Sequence, residues 1–244
     1  MPPELALDPK AFPQSPPPDL CDPGILVDHD WRAFTEVRRM KSHWDRPGWA
    51  DGRRAFYWML TFPGATGLIR RTQHCQDELA HLGMDSIPSD GLHVTLTRIG
   101  STEVVQRSRV QLLAGLAGHL RIPAFPLTAR PLAGSTGAVR FTLTPWSPLV
   151  ALQAALSEIG SRVGVPGGRP TSMFRPHLGI QYNNRERPAA PVIASVARLR
   201  TLAPVSLEIS RVELVELWRT SNPPSYRWQV VHSVPLLPAD VPHP

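Results

Sequence analysis

The sequence predicts an α+β protein of two similar lobes, each a sheet covered by helices. Three observations predict it. Apolar runs of strand length alternate with stretches of helical periodicity, and strand–helix–strand–helix occurs twice, with extra strands. Two short strands, Leu92–Leu96 (LHVTL) and Pro176–Ile180 (PHLGI), repeat one pattern of histidine, apolar, small, apolar. The 244 residues are 42% apolar and 19% charged, enough for a sizeable core and unlike a disordered chain.

Residues 1–25 are rich in proline, with a run at Pro16–Pro18, and read as an extended, partly disordered arm. Trp31, Phe34 and Val37 or Met40 repeat at helical spacing, which predicts a short helix over Asp30–Lys41. Arm and helix form a region 1–42 ahead of one bilobal domain expected over 43–244. Asp28–Asp30 (DHD) has no paired ligands and reads as a solvated loop rather than a metal site. His43–Arg54 reads as a loop that Trp44 and Trp49 pin to the body.

Ala55–Phe62 (AFYWMLTF) suits a buried strand. Ala65–Leu82 fits a helix with Leu68, Cys75, Leu79 and Leu82 on one stripe and Gly83 as its stop. In Leu92–Ile99, Leu92, Val94 and Leu96 face one side and His93, Thr95 and Thr97 the other. Thr102–Leu120 is helical. Phe125–Leu132 and Val139–Thr144 are strands joined by the hairpin signal AGSTG. Ser147–Val163 is a helix with Leu149, Leu152, Leu156, Ile159 and Val163 on one face, followed by a flexible loop, Gly164–Arg169 (GVPGGR). His177–Tyr182 is a strand and Ala189–Leu202 a helix. Ser206–Trp218 and Tyr226–Val234 close the chain as strands.

Composition excludes some classes. No run of 18 apolar residues occurs, so no membrane span is expected. The first residues lack a basic segment followed by an apolar one, so no secretory signal is read. Cys21 and Cys75 are too few for a disulfide framework, and a cytoplasmic protein with reduced thiols is expected. The net charge of +6 comes from an excess over residues 101–200, and 24 of the 26 basic residues are arginine. Arginine forks suit phosphate oxygens, but an arginine-favouring genome explains the bias equally well. Arg185 and Arg187 read either as backbone contacts to a nucleic acid or as a solvated loop. Trp218, Tyr226 and Trp228 read as core in preference to a base-stacking surface. There is no P-loop, nucleophile elbow or dinucleotide fingerprint.

The histidine strands carry the chemistry. Side chains alternate along a strand, so His93 shares a face with Thr95, and His177 shares a face with Gly179. Either histidine alone also reads as a solvent-facing or satisfied core residue. Their matched positions in a repeated layout favour a pair facing across a cleft. Phosphodiester chemistry without a metal needs such a pair: one imidazole takes a proton while the other donates one to the leaving oxygen. A hydroxyl two residues on hydrogen-bonds a non-bridging phosphate oxygen.

With these motifs the sequence resembles the 2H phosphoesterase superfamily, named for paired H-x-[T/S]-x motifs. It is most similar to the bacterial 2′-5′ RNA ligase-like (LigT-like) branch. The resemblance spans about residues 43–234 and rests on Gly52–Phe62 (GRRAFYWMLTF), Ile87–Gly100 (IPSDGLHVTLTRIG), Phe174–Asn184 (FRPHLGIQYNN), Val212–Arg219 (VELVELWR) and Tyr226–Trp228 (YRW). It implies a duplicated bilobal fold, two antiparallel sheets with outer helices flanking a central groove. It also implies opening of 2′,3′-cyclic phosphates on RNA ends or small nucleotides, with some members making 2′-5′ linkages in reverse. His93 and His177 carry over as the catalytic pair and Thr95 as a phosphate-binding hydroxyl. No cofactor or metal is implied, and a monomer is expected. Gly179 departs from the pattern, since the family places Thr or Ser there, and only its backbone is left to meet phosphate. Gln181, on the same strand face, and Arg175, before the motif, are the nearby substitutes, with Thr97 and Arg98 on the other strand. The competing reading is an RNA- or nucleotide-binding module of the same fold that has lost full chemistry, with Gly179 as the trace.

Overall fold

The structure, a computed structural model, describes residues 4–45 and 52–238. Trp49, one of the two tryptophans expected to pin the 43–54 loop, lies outside them. Trp44 lies inside, with its indole N–H donated to Asp85 Oδ2 at 2.7 Å.

The proline-rich arm is bound down rather than loose. Leu5 and Ala11 are buried, and Ala6 N–H donates to Ser172 O at 2.9 Å. The first helix, α1 (Pro23–Thr35), begins well before Asp30. Asp22 caps it by accepting from Ile25 N–H, and Pro23 occupies the first turn, where its missing N–H costs nothing. The chain beyond it turns extended at β1 (Arg39–Met40). The reading of Asp28–Asp30 as a solvated loop therefore fails. Asp30 is a fully buried helical residue that accepts from Arg140 Nη2 at 3.1 Å and from Thr142 Oγ1 at 2.8 Å.

The remaining elements follow in chain order. They are β2 (Arg54–Thr61), α2 (Thr66–Glu78), β3 (Asp85–Ser86), β4 (His93–Ser101), α3 (Arg107–Ala117), β5 (Phe125–Gly134) and β6 (Ala138–Thr144). Then come α4 (Ser147–Val163), β7 (Leu178–Tyr182), β8 (Arg187–Pro188), α5 (Ala190–Leu199), β9 (Val205–Ile209), β10 (Arg211–Ser221) and β11 (Pro224–Pro235). Gly83 and Gly164, at φ 56° and 71°, stop their helical segments in the left-handed conformation that a side chain resists.

Two antiparallel sheets form the body, in orders β11-β10-β2-β4 and β3-β7-β6-β5-β9. Helices α3 and α4 pack on the first sheet, and α1, α2 and α5 on the second. The halves of the sequence are thus not the halves of the molecule. Helix α2 follows a strand of the first sheet yet packs on the second, and α4 does the reverse. The expected single strand Ser206–Trp218 breaks at Ser210, so β9 stays with the second sheet while β10 returns to the first. One main core runs through both lobes, from Trp58, Leu60 and Ile99 to Phe141, Leu149 and Ile180.

The sheets abut where β4, the edge strand of the first, contacts β7 of the second. The loop after α4, expected to be flexible, is held against β4. Gly167 N–H donates to Ile99 O at 2.9 Å, and a Cβ on Gly168 would lie 3.0 Å from Arg98 N, so the loop lies tight along β4.

Candidate active site

Both histidines enter their strands by the same local route. Pro88 and Pro170, each at φ −64° and ψ 159°, lead into single 3₁₀ turns at Ser89–Gly91 and Thr171–Met173. The chain then straightens through Leu92 (φ −71°, ψ 124°) and Phe174 (φ −72°, ψ 130°). A turn followed by extended chain thus precedes both histidines, with two more residues between turn and histidine in the second.

Each imidazole is oriented by the same bond. His93 Nδ1 lies 2.8 Å from Gly91 O, and His177 Nδ1 lies 2.8 Å from Arg175 O, in both cases the carbonyl two residues back. A carbonyl only accepts, so both Nδ1 atoms carry the proton and donate. In that tautomer Nε2 is the unprotonated nitrogen of each neutral ring. The environments differ: His93 is half-buried and His177 exposed. Burial pushes His93 below the ordinary histidine pKa, against a smaller upward pull from its bond to Gly91 O. His93 is thereby favoured as a neutral imidazole, the form that accepts a proton.

Cross-strand partners show which residues share the histidine faces. On the first sheet Thr61 lies opposite His93 and Met59 opposite Thr95, and Met59 belongs to a small apolar cluster with Val215 and Leu217, apart from the main core. A register shift at Leu96 then places Thr97 opposite the core residue Trp58, off the row of His93 and Thr95. Thr97 Oγ1 points its hydrogen at Arg98 O. Arg98 lies opposite Tyr57, on the histidine face.

On the second sheet Gly179 lies opposite Arg140, whose guanidinium reaches Asp30 and Phe12 O. Arm and α1 therefore cover the same face of this sheet that His177 and Gly179 share. A Cβ on Gly179 would lie 3.1 Å from Ile87 Cδ1 and 3.7 Å from Tyr182 Cε1.

The two substitutes for the missing hydroxyl go elsewhere. A register shift between Gly179 and Gln181 sets Gln181 opposite Val139, which is fully buried, and Gln181 itself is 1% exposed with its amide toward Ser86 Oγ. It is not on the His177 row. Arg175 is 5% exposed, and its guanidinium donates to five main-chain carbonyls, those of Ala6, Pro13, Gln14, Ser172 and Phe174. Its donors are used within the protein, so it is a structural anchor, not a phosphate ligand. Arg187 likewise donates to Leu82 O and Asn184 Oδ1.

Tyr226 and Trp228 stand beside His93 and join Tyr182 and His43 in one cluster of rings. Trp228 lies 5.3 Å from the His93 ring and Tyr226 6.3 Å. Tyr226 meets Tyr182 of β7 at 5.7 Å, and its hydroxyl lies 3.1 Å from Nε2 of His43, which stacks on Tyr182 at 3.9 Å. Trp218 instead lies under the Arg54 guanidinium, 4.5 Å from it. No sequence spacing marks His43, because it is 139 residues from Tyr182 and reaches it only through the fold. Among the described residues no group of three His, Cys, Asp or Glu side chains is placed to hold a metal ion.

Two interlaced antiparallel lobes with a histidine-led strand in each define the two-histidine phosphoesterase class. The solved structures agree on the fold. LigT of E. coli in its apo form matches with a TM-score of 0.58 at 19% identity, over 76% of this chain and 98% of that one. LigT complexed with 3′-AMP matches with a TM-score of 0.55 at 19% identity, over 75% of this chain and 98% of that one. TT0787 of Thermus thermophilus matches with a TM-score of 0.58 at 13% identity, over 75% of this chain and 98% of that one. No curated protein matches the sequence. The profile of the 2′-5′ RNA ligase superfamily matches residues 66–220, and the chain belongs to that family. Membership places it among phosphoesterase- and RNA ligase-type enzymes. The family's segment begins after the arm and α1.

Proposed function

We propose that the protein opens 2′,3′-cyclic phosphates, on RNA ends or small nucleotides, by acid/base catalysis between His93 and His177. With an RNA 5′-hydroxyl in place of water as the attacking group, the same opening breaks the bond from phosphorus to the 3′ oxygen and gives a 2′-5′ linkage. The observation that carries the reading is the matched orientation of the two imidazoles, each held through Nδ1 so that Nε2 is the working atom. His93 Nε2 takes a proton from water as the water oxygen bonds to phosphorus. The bond from phosphorus to one ribose oxygen breaks, and His177, as imidazolium, gives that oxygen its Nε2 proton. A phosphomonoester remains, and solvent resets both rings. Thr95 donates its hydroxyl to a non-bridging oxygen. On this reading the chain works in the cytoplasm as a monomer without a cofactor. The phosphate and 3′-AMP complexes of E. coli LigT lend the ligand class support.

Gly179 favours a second reading, a binding module that retains the fold without efficient turnover. Incubating the full chain with 2′,3′-cyclic AMP in EDTA, with products resolved by chromatography, separates the two. Conversion to a single adenosine monophosphate supports the enzyme. Salt-sensitive binding without turnover across a panel of cyclic nucleotides supports the module.

A further inference from the structure

The two histidines are oriented by the same bond, yet the carbonyls that accept it are held differently. Gly91 O belongs to a residue inside a 3₁₀ turn, whose N–H closes on Pro88 O at 2.8 Å. That acceptor is fixed by its own short loop. Arg175 O belongs to a residue outside its turn, in extended chain followed by Pro176.

What holds Arg175 is its side chain. Nε donates to Pro13 O at 3.0 Å, and Nη2 to Ala6 O at 2.7 Å and Gln14 O at 3.1 Å. Nη1 adds Ser172 O and Phe174 O, each at 3.1 Å. Three of the five acceptors therefore belong to the arm, which precedes the family's matched segment. The arm is itself tied down nearby, through Ala6 N–H to Ser172 O and Phe12 O to Arg140. A buried guanidinium that loses its carbonyl partners carries a large desolvation cost. The arm and the conformation of residue 175 are thus coupled.

We infer that the N-terminal arm, through the Arg175 guanidinium and the Arg175 carbonyl, sets the tautomer and orientation of His177, making Arg175 a positioning residue that His93 has no counterpart for. The inference rests on the reading of His177 as the acid of the pair, but the bond it concerns can be read without turnover. An imidazole whose Nδ1 loses its acceptor populates both neutral tautomers and rotates. Nε2 then points at the leaving oxygen only part of the time.

The test uses the full chain, labelled with ¹⁵N, and compares wild type with Arg175→Lys and Arg175→Met by long-range imidazole NMR. In wild type both histidines are expected in the Nδ1–H tautomer. In the variants the Nε2–H form of His177 is expected to rise several-fold while His93 stays unchanged. The kcat for 2′,3′-cyclic AMP should fall roughly 10- to 100-fold with KM little changed. A second measurement needs no variant: exchange of the His177 Nδ1–H with water should follow the opening of the Ala6 and Asp8 amides of the arm in low denaturant. An unchanged His177 tautomer in a variant whose Ala6 and Asp8 amides exchange faster would overturn the coupling. So would His177 Nδ1–H exchange that ignores arm opening. A wild type that turns over no cyclic nucleotide, while the Arg175 variants still show the tautomer shift, would refute the proposed activity and leave the coupling standing.

Discussion

The strand that begins at His93 and the segment that ends at His177 share a route and a hydrogen bond, but the surroundings have diverged. The first keeps a hydroxyl, Thr95, on the histidine face, half-buries its imidazole, and fixes its acceptor carbonyl with a local turn. The second has Gly179 in place of the hydroxyl, exposes its imidazole, and fixes its acceptor through a buried arginine gripped by the N-terminal arm. The duplicated part is local backbone geometry. What differs is the long-range support around it.

Removing either ring should have the largest effect. His93→Ala and His177→Ala are each expected to lower kcat for 2′,3′-cyclic AMP by about 10²- to 10⁴-fold, measured with folding checked by thermal unfolding. Thr95→Val makes the first strand as poor in hydroxyls as the second, and about a 10²-fold loss of kcat is expected. Gly179→Ser does the converse. The new Cβ meets the end of the flexible Ile87 side chain, so the stability cost should not exceed about 1 kcal/mol. If the hydroxyl reaches phosphate, kcat rises roughly 10-fold, and no rise would mean that Tyr182 and Ile87 already close that approach.

The smallest effect is in pH. A base must be neutral, and burial holds the His93 pKa below the ordinary value of 6.5. Activity therefore rises with pH through that lowered value, and the acid limb of the kcat/KM profile lies below 6.5. His93→Ala should remove this limb and His177→Ala should keep it.

The histidine strands were legible in the sequence because alternation over five residues is a local property. The turns before them are local too, although only the structure shows that Pro88 and Pro170 start the same route. Three features were not legible. The register shifts at Leu96 and before Gln181, which remove Thr97 and Gln181 from the histidine rows, depend on how partner strands pair. The arm looked loose because proline and polar residues carry no periodicity, yet its backbone carbonyls meet Arg175 some 160 residues away. Tyr226 and Trp228 do pack against core clusters, as strand aromatics usually do, but their place beside His93 follows from β10 and β11 returning to the first sheet. The Asp22–Pro23 helix start was readable in principle but was hidden in the proline-rich run.

The central claim is that His93 and His177 act as one unit on one phosphate. The most direct test is the kcat of His93→Ala, His177→Ala and the doubly substituted chain on 2′,3′-cyclic AMP. Groups that act together are not additive, so the double variant should be no slower than the worse single one. Two single losses that multiply in the double variant, or a single variant that retains wild-type turnover, would contradict it.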